Sequence, residues 1–170
     1  MKTEPLTLTF PDIVTFLNIS LGFSAIAASA LKYWDVASAL LIGAVVMDYL
    51  DGHFARALNT VSELGVHLDS LSDLVSFGVA PAFWLLTRYN YSPLLWGASL
   101  ILISCGAYRL GRYNLLHKTV KGGWIGMPIT LNAIILPIMG YLTSNVVSLT
   151  VLMLLVSFLM VSKIKFQRLF

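Results

Sequence analysis

Four aspartates carry the strongest chemical signal in this sequence: Asp48 and Asp51, then Asp69 and Asp73. The first pair is spaced i,i+3 and the second i,i+4, so on helices each pair shares one face. Both pairs fall inside long apolar stretches, where an Asp at the centre of a membrane helix costs about 2.5–3.5 kcal/mol and four cost on the order of 10 kcal/mol. A single Asp near the end of a span needs no more than partial solvation at the interface. Four at one depth need compensation. The connection 58–64 is short, so the two segments form an antiparallel hairpin in which positions 48 and 73, and likewise 51 and 70, are symmetric about the turn. Oxygen-only ligation favours a hard divalent cation, Mg²⁺, Mn²⁺ or Ca²⁺, and two such ions neutralise four carboxylates. Arg56 is the only Arg or Lys inside the hairpin. The economical reading is a dinuclear metal site, which typically serves phosphoryl chemistry.

The neighbours of the carboxylates are small. Gly52 and Ala55 follow Asp48 at i+4 and i+7, which bares that helix face; this admits either a bulky ligand or a closely packed helix. Gly65 has the same two readings. Arg56 could pair with phosphate oxygens.

The elements that hold these residues are read from composition. Hydrophobic residues make up 58% of the 170 residues, charged residues 11%, and the mean hydropathy is +0.83. Soluble proteins carry about 25% charged residues. Lipid must therefore solvate most of this chain, and six stretches are long enough to cross it as helices: 12–31, 35–57, 65–88, 92–116, 126–144 and 146–163. The expected fold is an all-α integral membrane protein, a single domain over 1–170. With six spans both termini share a side. That side holds Lys2, Arg56, Arg109, Arg112, Lys118, Lys121, Lys163, Lys165 and Arg168, against Lys32 and Arg88 on the other. The asymmetry predicts a multi-pass protein of the cell membrane with both termini cytoplasmic. Counting from Asp35, Asp48 lies roughly 20 Å into the second helix, in the cytoplasmic half. The basic excess is thus topological, and nucleic acid is not an expected partner. Cys105 is the only cysteine, which excludes a disulfide framework and a Cys-based zinc site. A cation channel or carrier would also place aspartates in a membrane, but it should be polar in both halves of the bilayer, and 36–46 and 77–86 are almost wholly apolar.

Written out, the hairpin reads Asp48-x2-Asp51-Gly52-x2-Ala55-Arg56-x8-Gly65-x3-Asp69-x3-Asp73, a full match to the signature of the CDP-alcohol phosphotransferase family. The strings Asp69-Ser-Leu-Ser-Asp-Leu-Val-Ser-Phe-Gly-Val-Ala-Pro81 and Cys105-Gly-Ala-Tyr-Arg109-Leu-Gly-Arg112-Tyr-Asn114 resemble the phosphatidylserine synthases of bacteria and archaea. So do Thr15-Phe-Leu-Asn18 through Gly22, and Gly126-Met-Pro128. Ile129-Thr130 stands where those enzymes usually have Ser-Pro, and the last two stretches match mainly in hydropathy.

The resemblance implies six transmembrane helices, a homodimer, and transfer of the phosphatidyl group of a CDP-lipid (CDP-diacylglycerol or CDP-archaeol) to L-serine with release of CMP. It implies two divalent cations, Mg²⁺ or Mn²⁺, with Asp48, Asp51 and Asp69 holding the metal that grips the pyrophosphate. Asp73 would join a second metal and act as the base, while Gly52, Ala55, Arg56 and Gly65 would face the CDP-lipid. Arg109 and Arg112 could hold the serine carboxylate or simply anchor the topology. Thr15 and Asn18 could line the acceptor cavity or make hydrogen bonds within the core. Glycerol 3-phosphate and inositol phosphate are the rival acceptors.

Overall fold

The computed structural model describes residues 10–57, 63–116 and 124–166. The described chain is helical apart from one two-residue strand pair. Helices α1 (Phe10–Ala30), α2 (Trp34–Ala57), α3 (Glu63–Asp73), α4 (Ala80–Arg88), α5 (Pro93–Leu116), α6 (Asn132–Leu142) and α7 (Val146–Val161) cover all six of the stretches read as apolar helices. Three of these rods are long and apolar enough to cross a membrane: 12–30, 64–88 and 93–115. The rods at 129–142 and 146–161 are apolar but shorter. Helix α2 has 24 residues, but Asp35, Asp48, Asp51 and Arg56 interrupt its apolar character. Large side chains such as Phe23, Tyr49, Leu142 and Phe158 are two-thirds or more exposed. An exterior of this kind belongs in lipid.

The backbone departs from plain helices in two places. The rod expected over 65–88 is not uniformly α-helical: Leu74–Val79 is π-helical and joins α3 to α4. Pro81, at the start of α4, lacks the N–H that would close an α-turn on the Phe77 carbonyl. The helix expected from 126 begins only at the 3₁₀ turn Ile129–Leu131. Before it, Gly126 has φ +80° and Pro128 is extended, conformations that cannot start a helix. Strand β1 (Trp124–Ile125) pairs antiparallel with β2 (Lys165–Phe166). The Gly126 and Met127 amides then bond the Ile164 and Leu159 carbonyls at 2.9 and 3.1 Å, seating this segment on the end of α7.

Two polar devices fix the rods. At the end of the bundle holding Lys32 and Arg88, the Arg88 guanidinium lies 4.5 Å from the Tyr141 ring centroid and 5.3 Å from those of Trp34 and Trp84. There the Tyr141 hydroxyl donates to Asp35 and the Trp84 indole to the Trp34 carbonyl, tying α2, α4 and α6 together. Along the seam between α1 and α3, the hydroxyls of Ser72 and Ser76 donate to the carbonyls of Thr15 and Asn18 at 3.3 and 3.1 Å. One turn on, Gly22 allows the closest approach, because a Cβ there would fall 2.8 Å from the Ser76 Cα.

Gly22→Ala should therefore force this seam apart and destabilise the protein by about 1–3 kcal/mol, the usual cost of overpacking. Gly97, which has open space around its Cβ position, is the control. Thermal unfolding in detergent should show a midpoint several degrees lower for Gly22→Ala and no loss for Gly97→Ala. Equal midpoints would show that the seam is loose.

Candidate active site

The carboxylates of Asp48 on α2 and of Asp69 and Asp73 on α3 converge at one end of the bundle. One oxygen from each lies within 4.8 Å of the other two. Asp73 is 7% exposed, and its Oδ1 has no hydrogen-bond partner among the described residues. Asp48 and Asp69 are half-buried. The i,i+4 spacing of Asp69 and Asp73 puts both on one face of α3, and the packing of α1 against both α2 and α3 brings that face towards Asp48.

The donor set fits a hard divalent cation. Two oxygens bound to one ion can stand apart by at most twice the metal–oxygen distance, about 4.2 Å for Mg²⁺ and about 4.6–5.2 Å for Ca²⁺. The observed spread already suits the larger ion, and small side-chain rotations would bring it to Mg²⁺ or Mn²⁺. A buried carboxylate oxygen without a donor has the electron density to offer such an ion. Asp51 lies one turn beyond Asp48 on α2, with its side chain outside those described, as are those of Ala55 and Arg56. Gly52 and Gly65 are half-buried on the two facing helices.

Helix α5 brings the positive charge. Arg109 is 5% exposed, and Asp73 and Asp48 are both among its electrostatic partners. Its guanidinium carbon sits 5.7 Å from the Tyr113 ring centroid. Ser70 on α3 and Asn114 on α5 exchange hydrogen bonds of 2.9 and 3.2 Å, which fixes the register of α5 against the carboxylate helix. Arg112 points elsewhere. Its guanidinium donates to the carbonyls of Val161, Met160 and Ser162 at 2.8, 3.2 and 3.2 Å, capping the C-terminal end of α7. Thr15 and Asn18 are buried on the α1 seam, where their backbone carbonyls accept the serine hydroxyls. Asn18 Oδ1 is buried with no partner among the described residues. His53 and His67 are exposed and stand outside the carboxylate cluster.

Two residues at or near the site, and one buried acid on α1, were not picked out from the sequence as functional. Thr130 Oγ1 donates to Asp48 Oδ2 over 3.4 Å, and Asn132, two positions on, is fully buried beside it in the chain. The available signal was that they are the two polar residues in the otherwise apolar run 127–140. Asp12 is 2% exposed in the first turn of α1, where the helix N-terminus favours an acid.

The model of the CDP-alcohol phosphatidyltransferase family matches residues 8–162. The chain is 38% identical over 161 residues to the CDP-diacylglycerol–serine O-phosphatidyltransferase of Methanocaldococcus jannaschii, covering 95% of this chain and 75% of that protein. It is 37% identical over 160 residues to the enzyme of the same name from Bacillus subtilis, covering 92% and 88%. To the archaetidylserine synthase of Methanothermobacter thermautotrophicus it is 35% identical over 168 residues, covering 95% and 70%.

A divalent ion held by converging carboxylates stabilises the folded state by mass action, by about 2.7 kcal/mol at a hundred times its dissociation constant. Mn²⁺ or Mg²⁺ should therefore raise the unfolding midpoint of the wild-type protein, and Asp48→Asn, Asp69→Asn or Asp73→Asn should each reduce that rise. A wild-type midpoint indifferent to both ions would rule out the metal site.

Proposed function

The chain belongs to the CDP-alcohol phosphatidyltransferase family, and from that membership we propose that it transfers the phosphatidyl group of a CDP-lipid to the hydroxyl of L-serine, releasing CMP. The observation that carries the reading is the convergence of Asp48, Asp69 and Asp73 with the buried Arg109 guanidinium beside them.

In this reading Asp48, Asp51 and Asp69 hold one divalent cation and Asp73 contributes to a second. When bound, Mg²⁺ or Mn²⁺ neutralises the pyrophosphate and the charge that develops on the departing CMP. The remaining work falls to the chain. Asp73 accepts the proton of the serine hydroxyl, which is a poor nucleophile at neutral pH without a base within about 3 Å. The serine oxygen bonds to the lipid-linked phosphorus in line with the leaving group, and the bond from that phosphorus to the CMP oxygen breaks. No covalent enzyme intermediate is required. Gly52, Ala55, Arg56 and Gly65 border the space for the nucleotide. Arg109 pairs with the serine carboxylate, a charge-assisted contact suited to a guanidinium. The placement of Arg112 on the end of α7 favours serine over glycerol 3-phosphate or inositol phosphate. A phosphorylated acceptor calls for more than one cation, and Arg112 is engaged elsewhere.

The nine-to-two asymmetry of Lys and Arg supports six crossings of the cell membrane, with both termini and the site on the cytoplasmic side. Residues 1–170 act as one catalytic domain in this reading, paired with a second copy as in the family. The tails are diacyl or archaeal ether chains, since an apolar groove accepts either.

An acceptor screen run on wild-type and Arg109→Ala protein in parallel tests the proposal. With CDP-diacylglycerol and Mn²⁺ or Mg²⁺, wild-type protein should release CMP with serine and not with glycerol 3-phosphate or inositol phosphate. Losing a charged hydrogen bond of about 1.5–3 kcal/mol should raise the KM for serine roughly ten- to hundredfold in Arg109→Ala, with the KM for the CDP-lipid little changed. Release with glycerol 3-phosphate alone would assign a different acceptor. A normal serine KM in Arg109→Ala would place the carboxylate elsewhere.

A further inference from the structure

The turn 129–132 touches both halves of the carboxylate site. Thr130 donates to Asp48 on α2, while Asn132 Nδ2 donates to the Phe77 carbonyl at 3.1 Å. Phe77 lies in the π-helical segment that begins directly after Asp73. Between these two contacts, Ile129 is fully buried, and its Cδ1 would meet a Cβ at Gly106 of α5 at 2.7 Å and one at Gly78 of the π-segment at 3.7 Å. Asn132 also reaches Met160 Sδ on α7 at 3.7 Å. One turn thus sits among α2, α5, α7 and the π-segment.

The bond to Phe77 has a local cause. Pro81 removes the amide that would bond the Phe77 carbonyl in a regular α-helix. The Ala80 amide reaches back five residues to Val75. The widened turn holds one residue more than an α-turn, so it rotates α3 relative to α4 by about 100° compared with an unbroken helix. The direction in which Asp69 and Asp73 face, relative to the packed face of α4, depends on keeping that turn. Asn132 is fully buried, yet its Oδ1 has no partner among the described residues. Its burial therefore does not satisfy its own amide. What the structure uses is its donor.

We propose that Asn132 is a positioning residue for the carboxylate site, holding the π-turn beside Asp73 by its bond to the Phe77 carbonyl. It touches neither substrate nor metal and acts through Asp73. The inference rests on the metal reading above, and the test separates the two. The decisive comparison is between a donor supplied across the bundle and one supplied locally. Pro81→Ala restores an amide that can bond the Phe77 carbonyl within the helix, without the tie to the 129–132 turn.

The experiment measures Mn²⁺ binding by electron paramagnetic resonance, and thermal midpoints, on wild-type protein, Asn132→Leu, Pro81→Ala and the Asn132→Leu/Pro81→Ala double variant. Asn132→Leu keeps the number of side-chain heavy atoms and removes the donor to the Phe77 carbonyl, so both stability and Mn²⁺ affinity should fall, the affinity by about tenfold or more, as for lost outer-shell partners. The double variant should regain the wild-type midpoint while its Mn²⁺ affinity stays about tenfold weak. Pro81→Ala alone, with Asn132 in place, should bind Mn²⁺ within severalfold of wild type. The loss in the double variant then reads Asn132 even if Asn132→Leu is too unstable to purify, and an equal loss in Pro81→Ala alone would overturn the role of Asn132. A double variant that binds Mn²⁺ as tightly as wild type would overturn the positioning role and leave a structural one. Wild-type protein that binds no Mn²⁺ would sink the metal reading and this inference with it.

Discussion

Carboxylates brought together away from water repel one another, and the repulsion grows as the effective dielectric falls. Asp48, Asp69 and Asp73 have been brought together all the same, with one oxygen from each within 4.8 Å of the others. The Arg109 guanidinium on α5 offsets part of this, and the oxygen-only donor set suits divalent cations that would offset the rest. The rest of the structure serves to hold the strained cluster in place. Ser72 locks α3, and Ser76 the π-segment after it, onto α1; Ser70 and Asn114 lock α3 onto α5, and the 129–132 turn reaches α2 and the π-segment. These ties are short polar contacts to backbone carbonyls or small side chains, and such contacts are strong where lipid excludes competing water.

The bundle divides this work between its ends. The Arg88 clamp gathers α2, α4 and α6 at one end, its guanidinium set among three aromatic rings. At the other end α2 and α3 carry the acids Asp48, Asp51, Asp69 and Asp73 with the small residues Gly52, Ala55 and Gly65 among them. An aromatic-clamped end and a charged end suit chemistry on a headgroup whose lipid tails stay in the membrane.

Much of this was legible in the sequence, because it follows from period and charge. The spacing of Asp48, Asp69 and Asp73 required helices, and antiparallel helices bring them to one level. Arg109 and Arg112, spaced i,i+3, stood out together as candidates for the serine carboxylate or for topological anchors. Several features had no such signature. In the π-segment the Phe77 carbonyl takes a tertiary donor 55 residues on in the chain, at Asn132, and no local pattern announces that pairing. The late start of the helix before α6 follows from the positive φ of Gly126, which hydropathy does not register. Arg112 has the same i,i+3 relation to Arg109 that made a shared role attractive. The end of α7 claims it instead, and that contact depends on how two distant helices pack.

The central claim is that the converged carboxylates divide the labour, with Asp73 bearing the proton and its neighbours bearing the nucleotide. Asn matches Asp in shape and retains one oxygen for a metal, but it cannot take a proton. The most direct test is to measure CDP-lipid affinity and turnover on the same sample of Asp73→Asn. The account predicts that kcat falls by at least about a hundredfold while binding stays within severalfold of wild type. Normal binding with turnover within severalfold of wild type would contradict it, because the proton would then leave by another route.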